Sequence, residues 1–190
     1  RQGFRVPTIA QLFRPGRSTE STSLKPVKAD SYEVGLRGRI NDRIGFEIAG
    51  YIMTNSDDIL VFTDDDTGVR QIENSGKTRH KGVEVSVNID VTPTVLFSVA
   101  YAYNHHSFKE WMPRSGTDLS GQKINRAPRD VANVRLAWRP EWLNGGRFEI
   151  EYQHLGPYFL DDNNTHTYDG HDLVHLRGNI KMGKGLDFYL

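Results

Sequence analysis

Cysteine is missing from all 190 residues, and its absence excludes a disulfide framework and any thiolate metal site while leaving the compartment open. An excess of one charge is missing too: 24 Lys and Arg balance 24 Asp and Glu, which removes the electrostatic case for a nucleic-acid partner. No run of about 18 apolar residues occurs, so no transmembrane helix is expected. Catalytic signatures are equally scarce. Neither a Ser/His/Asp order nor an HExxH motif is found, and Ser75-Gly76-Lys77-Thr78 lacks the first glycine of a phosphate loop. We therefore expect no enzyme. Nothing at Arg1 reads as a signal peptide, and the chain opening in mid-motif is expected to be a cut rather than a natural terminus.

What the chain does have is alternation. From Gly82 onward, Val83, Val85, Val87 and Ile89 fall on one face, and Glu84, Ser86, Asn88 and Asp90 on the other. The same period of two recurs before and after it. Tyr32, Val34, Leu36 and Ile40 oppose Glu33, Arg37 and Arg39; Phe46, Ile48 and Ile52 lie on the returning segment, 45–62. Val95, Phe97, Val99, Tyr101 and Tyr103 form the next apolar face, followed by Ala132, Val134, Leu136 and Trp138 opposite Asn133 and Arg135. Phe148, Ile150 and Tyr152 then alternate with Glu149, Glu151 and Gln153. Val174, Leu176, Ile180 and Met182 oppose His175, Arg177, Asn179 and Lys181, and 186–190 begins a further strand that stops unfinished. Residues 1–29 and 105–128 read as irregular connections, the latter long and polar.

A one-sided apolar strand suits two environments: a soluble sandwich, where it packs on a second sheet, or a membrane barrel, where it faces lipid and the polar side lines a lumen. A mean hydropathy of −0.57 fits the first. It does not exclude the second, because each spanning strand needs only about 9–11 residues and lumenal positions dilute the average. The connections discriminate better. Those near residues 42, 93, 145 and 184 are short and those near 66, 115 and 166 longer and polar, an alternation that matches periplasmic turns and extracellular loops. Tyr32, Tyr101, Tyr103, Trp138, Trp142, Tyr152 and Tyr158 fall toward strand ends, where interfacial girdles belong.

Several stretches resemble the TonB-dependent outer-membrane receptors of siderophore type. Gly3-Phe4-Arg5-Val6-Pro7-Thr8-Ile9-Ala10-Gln11-Leu12-Phe13 is similar to that family's GFR-x-P-T-x-x-x-L-[FY] segment, and Leu24-Lys25-Pro26 with Asp30-Ser31-Tyr32-Glu33-Val34-Gly35 to its L-K-P…Y-E-[VL]-G segment. Asn74-Ser75-Gly76-Lys77-Thr78-Arg79-His80-Lys81-Gly82-Val83-Glu84 is similar to its N-[AS]-G-x-[TS]-x-x-x-G-[VIL]-E element, and Asn125 to Arg129 and Tyr168-Asp169-Gly170-His171 also fit. The resemblance implies an all-β fold, an antiparallel up-and-down meander of about eight strands, forming a segment of a barrel of about 22. Residues 1–190 would be part of the barrel domain, with the plug and the final strands absent. It further implies a Gram-negative outer-membrane location, contact with outer-membrane lipid, energisation by the TonB–ExbB–ExbD complex through a missing N-terminal region, and import of a small-molecule metal chelate, a ferric siderophore foremost. Haem, cobalamin or oligosaccharide are the alternatives within the family; a passive porin or adhesion barrel and a soluble β-sandwich binding module are those outside it. No covalently bound cofactor is expected.

Ligand contacts are expected on 14–22, 108–118 and 161–171. An anionic ferric chelate favours Arg14, Arg17 and Arg114, with Trp111 and Tyr158 to cover planar groups. His166 and His171 are the pair in place for an axial haem ligand. His105 and His106 point to opposite faces of a strand and would not chelate one ion. Asp64-Asp65-Asp66-Thr67-Gly68 does not meet the calcium-loop template and reads as a solvated turn. Arg37, Arg39, Glu84, Asn88, Arg135, Glu149, Glu151, Arg177 and Lys181 read as a wet lumen wall. No metal site is expected.

Overall fold

The computed structural model describes residues 1–13, 23–63, 68, 70–111, 118–143, 145–183 and 185–190. Its elements are β1 (Gln2–Arg5), helix α1 (Ile9–Leu12), β2 (Val27–Ile40), β3 (Ile44–Thr63), β4 (Arg70–Thr92), β5 (Val95–Trp111), β6 (Asp130–Trp138), β7 (Arg147–Leu155), β8 (Tyr158–Phe159), β9 (Thr167–Tyr168), β10 (His171–Gly183) and β11 (Leu186–Tyr189). The sheet order is β1-β2-β3-β4-β5-β6-β7-β10-β11, every pair antiparallel, with β8 and β9 forming a separate hairpin. From β2 to β11 this is an eight-strand meander, and the sheet is not closed. No helix among the described residues is long and apolar enough to cross a membrane.

Register turns the sequence alternation into a surface. Phe46, Val87, Val99, Val134, Tyr152 and Val174 stand side by side across six strands. One level nearer the short turns, Ile44, Ile89, Phe97, Leu136, Ile150 and Leu176 do the same. Since side chains alternate faces along a strand, correct pairing of one apolar residue aligns all the others. The resulting belt is uncovered: Val174 and Leu176 are 67% and 65% exposed, and no second layer lies over it among the described residues. A sandwich would bury that face, so the packing is that of a barrel wall.

Aromatic residues border the belt. Near the short turns Trp138 contacts Trp142 and Phe148, each at a centroid distance of 6.1 Å. At the other border the Tyr101 hydroxyl donates to Asp130 at 2.7 Å, the Tyr152 hydroxyl donates to Asp172 at 2.7 Å, and the Arg129 guanidinium lies 6.0 Å from the Tyr103 ring centroid. These tyrosines are amphipathic in the manner of an interface residue, ring on the apolar belt and hydroxyl on a polar partner. Tyr158 departs from the expected girdle, standing in β8 with its ring 5.1 Å from Tyr168.

Two expectations about connections need correcting. Residues 105–111 are strand, because His105 to Trp111 pair with Gly76 to Lys81 of β4; beyond the belt the backbone ladder continues without an apolar face to announce it. Within 1–29, β1 pairs with β2 and α1 forms one short turn, whereas 14–22 lies outside the described residues. Strand lengths also differ sharply: β3, β4 and β5 have 20, 23 and 17 residues, β6 and β7 only 9 each.

Candidate functional site

The end of the sheet away from the short turns is built by the segments that resemble family motifs. Asn74 accepts from the Lys25 amide at 2.7 Å and donates to the Lys25 carbonyl at 3.0 Å and the Asp57 carbonyl at 2.6 Å. One side-chain amide thus staples the segment before β2 onto the β3–β4 hairpin. Below the staple, Val27, Ile59 and Ile72 form a buried cluster with Leu24 packed against it. Between Asn55 and Asp58 the ladder shifts register, a bulge at which Asp57 takes a left-handed φ of 56°. Thr8 and Gln11 cap α1 reciprocally, the Thr8 amide donating to Gln11 Oε1 at 2.9 Å.

Two loops meet above the shorter strands. Asn164 accepts from the Lys123 amide at 2.8 Å and donates to its carbonyl at 2.9 Å, while the Arg126 amide donates to the Phe159 carbonyl at 2.8 Å. Residues 118–129 and the β8–β9 hairpin are therefore clasped together, enclosing a cavity of about 180 Å³ lined in part by His106, Ile124, Pro157 and Phe159. The hairpin's own turn is organised by Asp161, whose carboxylate accepts from the Thr165 and His166 amides and the Thr165 hydroxyl. These bonds, the Thr165 amide first, hold its carboxyl at about 2. Beside it, burial and the Asp161 charge push the Asp162 carboxyl up.

The expected ligand residues fall in three groups. Tyr158, His166 and His171 come together around the hairpin: the Tyr168 ring lies tilted against Tyr158 and its hydroxyl pairs with His171 Nδ1 at 2.9 Å, while His166 pairs with Asp161 at 3.2 Å. Trp111 is elsewhere. It is 6% exposed and packs edge-on against Phe108, centroids 4.5 Å apart, in a cluster with Leu60 and Leu119, so it is a buried packing residue and not an open platform. Arg14, Arg17 and Arg114 lie outside the described residues, as do Asp64, Asp65 and Asp66.

The polar face carries connected charge. Arg177 bonds Glu149 at 3.1 Å and Glu151 at 2.5 Å, Arg147 also pairs with Glu149, and Asn133 donates to Glu151 at 2.6 Å. Both carboxylates are under a tenth exposed, and each has a cation and hydrogen bonds in place of the water it has lost. Higher up, Tyr51 lies over Gly82 and donates to Asn104 at 2.8 Å. A Cβ at Gly82 would come within 2.6 Å of the Tyr103 carbonyl oxygen and 2.7 Å of the Tyr51 ring, which explains a glycine there in a strand otherwise full of branched residues.

One arrangement was not anticipated. His80 and His106, each thirteen residues from Pro93 at the turn, are cross-strand partners with Nδ1 atoms 2.8 Å apart. A bulge between Asp90 and Thr92 offsets the register by one, so counting outward from the Pro93-Thr94 turn alone would have set His80 against Ser107; the adjacent His105 and His106 have separate cross-strand partners, Lys81 and His80.

A family model described as "TonB dependent receptor-like, beta-barrel" matches residues 1–190. Among solved structures, the ferric yersiniabactin uptake receptor FyuA from Yersinia pestis is similar at 16% identity and a TM-score of 0.67, over 87% of this chain and 24% of its own. The copper transporter OprC is similar at 16% identity and a TM-score of 0.74, over 98% of this chain and 28% of its own. The ferric citrate transporter FecA in unliganded form is similar at 22% identity and a TM-score of 0.66, over 84% of this chain and 24% of its own. The chain thus spans about a quarter of the structures it matches, and at these identities the likeness is one of fold.

Proposed function

Because the chain belongs to the TonB-dependent receptor-like β-barrel family, we propose that it forms part of the wall and outer recognition surface of a receptor importing a ferric siderophore across a Gram-negative outer membrane. The observation that supports this most directly is the uncovered apolar belt, bordered on both sides by aromatic residues and backed by a charged inner face. Lipid would cover the belt and water or a plug the polar side. FyuA and FecA, which share the fold, are by name a ferric yersiniabactin receptor and a ferric citrate transporter.

In this reading residues 1–190 supply barrel wall only, with the plug on another part of the protein. Energy reaches the receptor through TonB and its partners by way of that other part. The chain does no covalent chemistry; the chelate is cargo, not a cofactor. Arg14, Arg17 and Arg114 would attract an anionic chelate, and Tyr158, His166 and His171 would meet it at the hairpin, while Trp111 would anchor Leu119 of the neighbouring loop. The test is growth of a strain lacking the full-length gene on single iron sources. Loss of growth on one ferric chelate is expected, and equal growth on every chelate would overturn the siderophore reading. Recovery of the full-length protein only with detergent checks its location.

A further inference from the structure

His80 and His106 face the polar side of the sheet at the level just beyond the aromatic border, and β3 places Met53 directly across from His80 on that side. The Asn55 amide nitrogen lies 3.3 Å from His80 Nε2; with that nitrogen donating, Nε2 accepts and the proton of His80 sits on Nδ1. His80 Nδ1–H then donates to His106 Nδ1 at 2.8 Å. Two imidazole nitrogens then share one proton, with Met53 the cross-strand neighbour of His80 on β3.

From this geometry we propose that His80 and His106 form a binding site for a free copper(II) ion on the inner wall. Two nitrogens each about 2.0 Å from one metal at a right angle are about 2.8 Å apart, the separation already present between the Nδ1 atoms. A square-planar ion therefore needs the rings to turn toward it and little change in the backbone. Square-planar coordination with imidazole donors suits copper(II) or nickel(II), and of the two copper(II) binds the more tightly. The shared proton is conserved: on metal binding it leaves His80 Nδ1 and His80 carries it on Nε2.

The surroundings are ready to receive that proton. Thr78 Oγ1 is 3.1 Å from His80 Nε2 and 3.4 Å from Asp58 Oδ2, so Nε2–H can donate to the hydroxyl, which donates on to the carboxylate. Thr78 is 2% exposed, and the Asn55 amide can turn its oxygen to the same nitrogen. A metal-bound histidine whose other nitrogen is held by a hydroxyl and carboxylate is the usual outer shell of a metal site. This inference does not rest on the siderophore reading: it concerns an unchelated ion and holds whatever chelate the receptor carries.

The experiment uses the full-length receptor purified in detergent, titrated with copper(II) sulfate alone and read by electron paramagnetic resonance. A tight equivalent whose spectrum shows coupling to two imidazole nitrogens is expected. His80→Gln and His106→Gln should each abolish that equivalent, and Thr78→Val should weaken it about 10- to 100-fold. Absence of a tight equivalent in the wild type, or one without two-nitrogen coupling, overturns the proposal. So does a spectrum unchanged in both histidine variants. If a variant fails to assemble, the wild-type spectrum decides. Growth on ferric chelates by the His106→Gln strain separates this site from the siderophore reading, which predicts no change there.

Discussion

Val87 and Ser86 are adjacent in β4 and face opposite ways, which makes them a measure of what each side of the sheet touches. Val87 sits in the central row of the belt, between Phe46 and Val99. Arginine there would stand near the middle of the hydrocarbon and cost about 2–4 kcal/mol, a shift of roughly 30- to 800-fold in the folding equilibrium. Ser86 pairs with Glu47 and Ala100 on the polar face, so Ser86→Arg gains a carboxylate neighbour and should be close to neutral. Charge alone would not distinguish lipid from a protein core, so the decisive variant is Val87→Trp. In lipid a larger apolar side chain needs no room made for it; beneath a second layer it would overpack and cost about 1–3 kcal/mol. The assay is reversible urea unfolding of the full-length receptor in phospholipid bilayers, followed by tryptophan fluorescence. Destabilisation by Val87→Trp comparable with Val87→Arg, or equal penalties for Ser86→Arg and Val87→Arg, would refute the assignment of faces.

Asp161→Asn should speed amide exchange at Thr165 and His166, since it removes the charged acceptor they share. Because the carboxyl sits at about 2 in the folded hairpin, below its ordinary value, that protection is complete above about pH 4. It should fade as pH falls from there toward 2, and protection independent of pH over this window would count against the assignment. Gly82→Ala should cost about 1–3 kcal/mol by driving a Cβ into the Tyr103 carbonyl, whereas Gly45→Ala, with open space around the added carbon, should cost less; equal urea midpoints would sink the explanation. Arg177→Met should lower the midpoint by leaving Glu149 and Glu151 to repel each other, and adding Glu151→Gln should restore part of the loss. An additive double variant would show that the carboxylates do not interact.

Much of the wall was legible because one physical constraint acts on every strand: a face in hydrocarbon must be apolar, and pairing forces apolar residues of neighbouring strands onto the same side. The rows through Val87 and Ile89 could therefore be written from alternation alone. That constraint ends at the aromatic border, and so did the legibility. Residues 105–111 continue as strand with Lys109, Glu110 and paired histidines where no apolar period survives. Trp111 illustrates the cost: its aromatic character suggested a ligand platform, but Phe108, Leu60 and Leu119 converge on it from three chain segments. Asn74, by contrast, stood inside a segment matching a family pattern, yet only the folded chain shows that its amide joins the segment before β2 to the β3–β4 hairpin.

The unequal strands have a geometric outcome. β5 continues eight residues beyond the length of its neighbour β6, about 26 Å along the strand at roughly 3.3 Å per residue. The rim of this wall is therefore a high parapet along β3 to β5 that drops to a low sill at β6 and β7, on which the two clasped loops rest. In the receptor proposed above, a chelate arriving on this side would meet the parapet before the loops on the sill, so strand length would decide which part of this wall it reaches first.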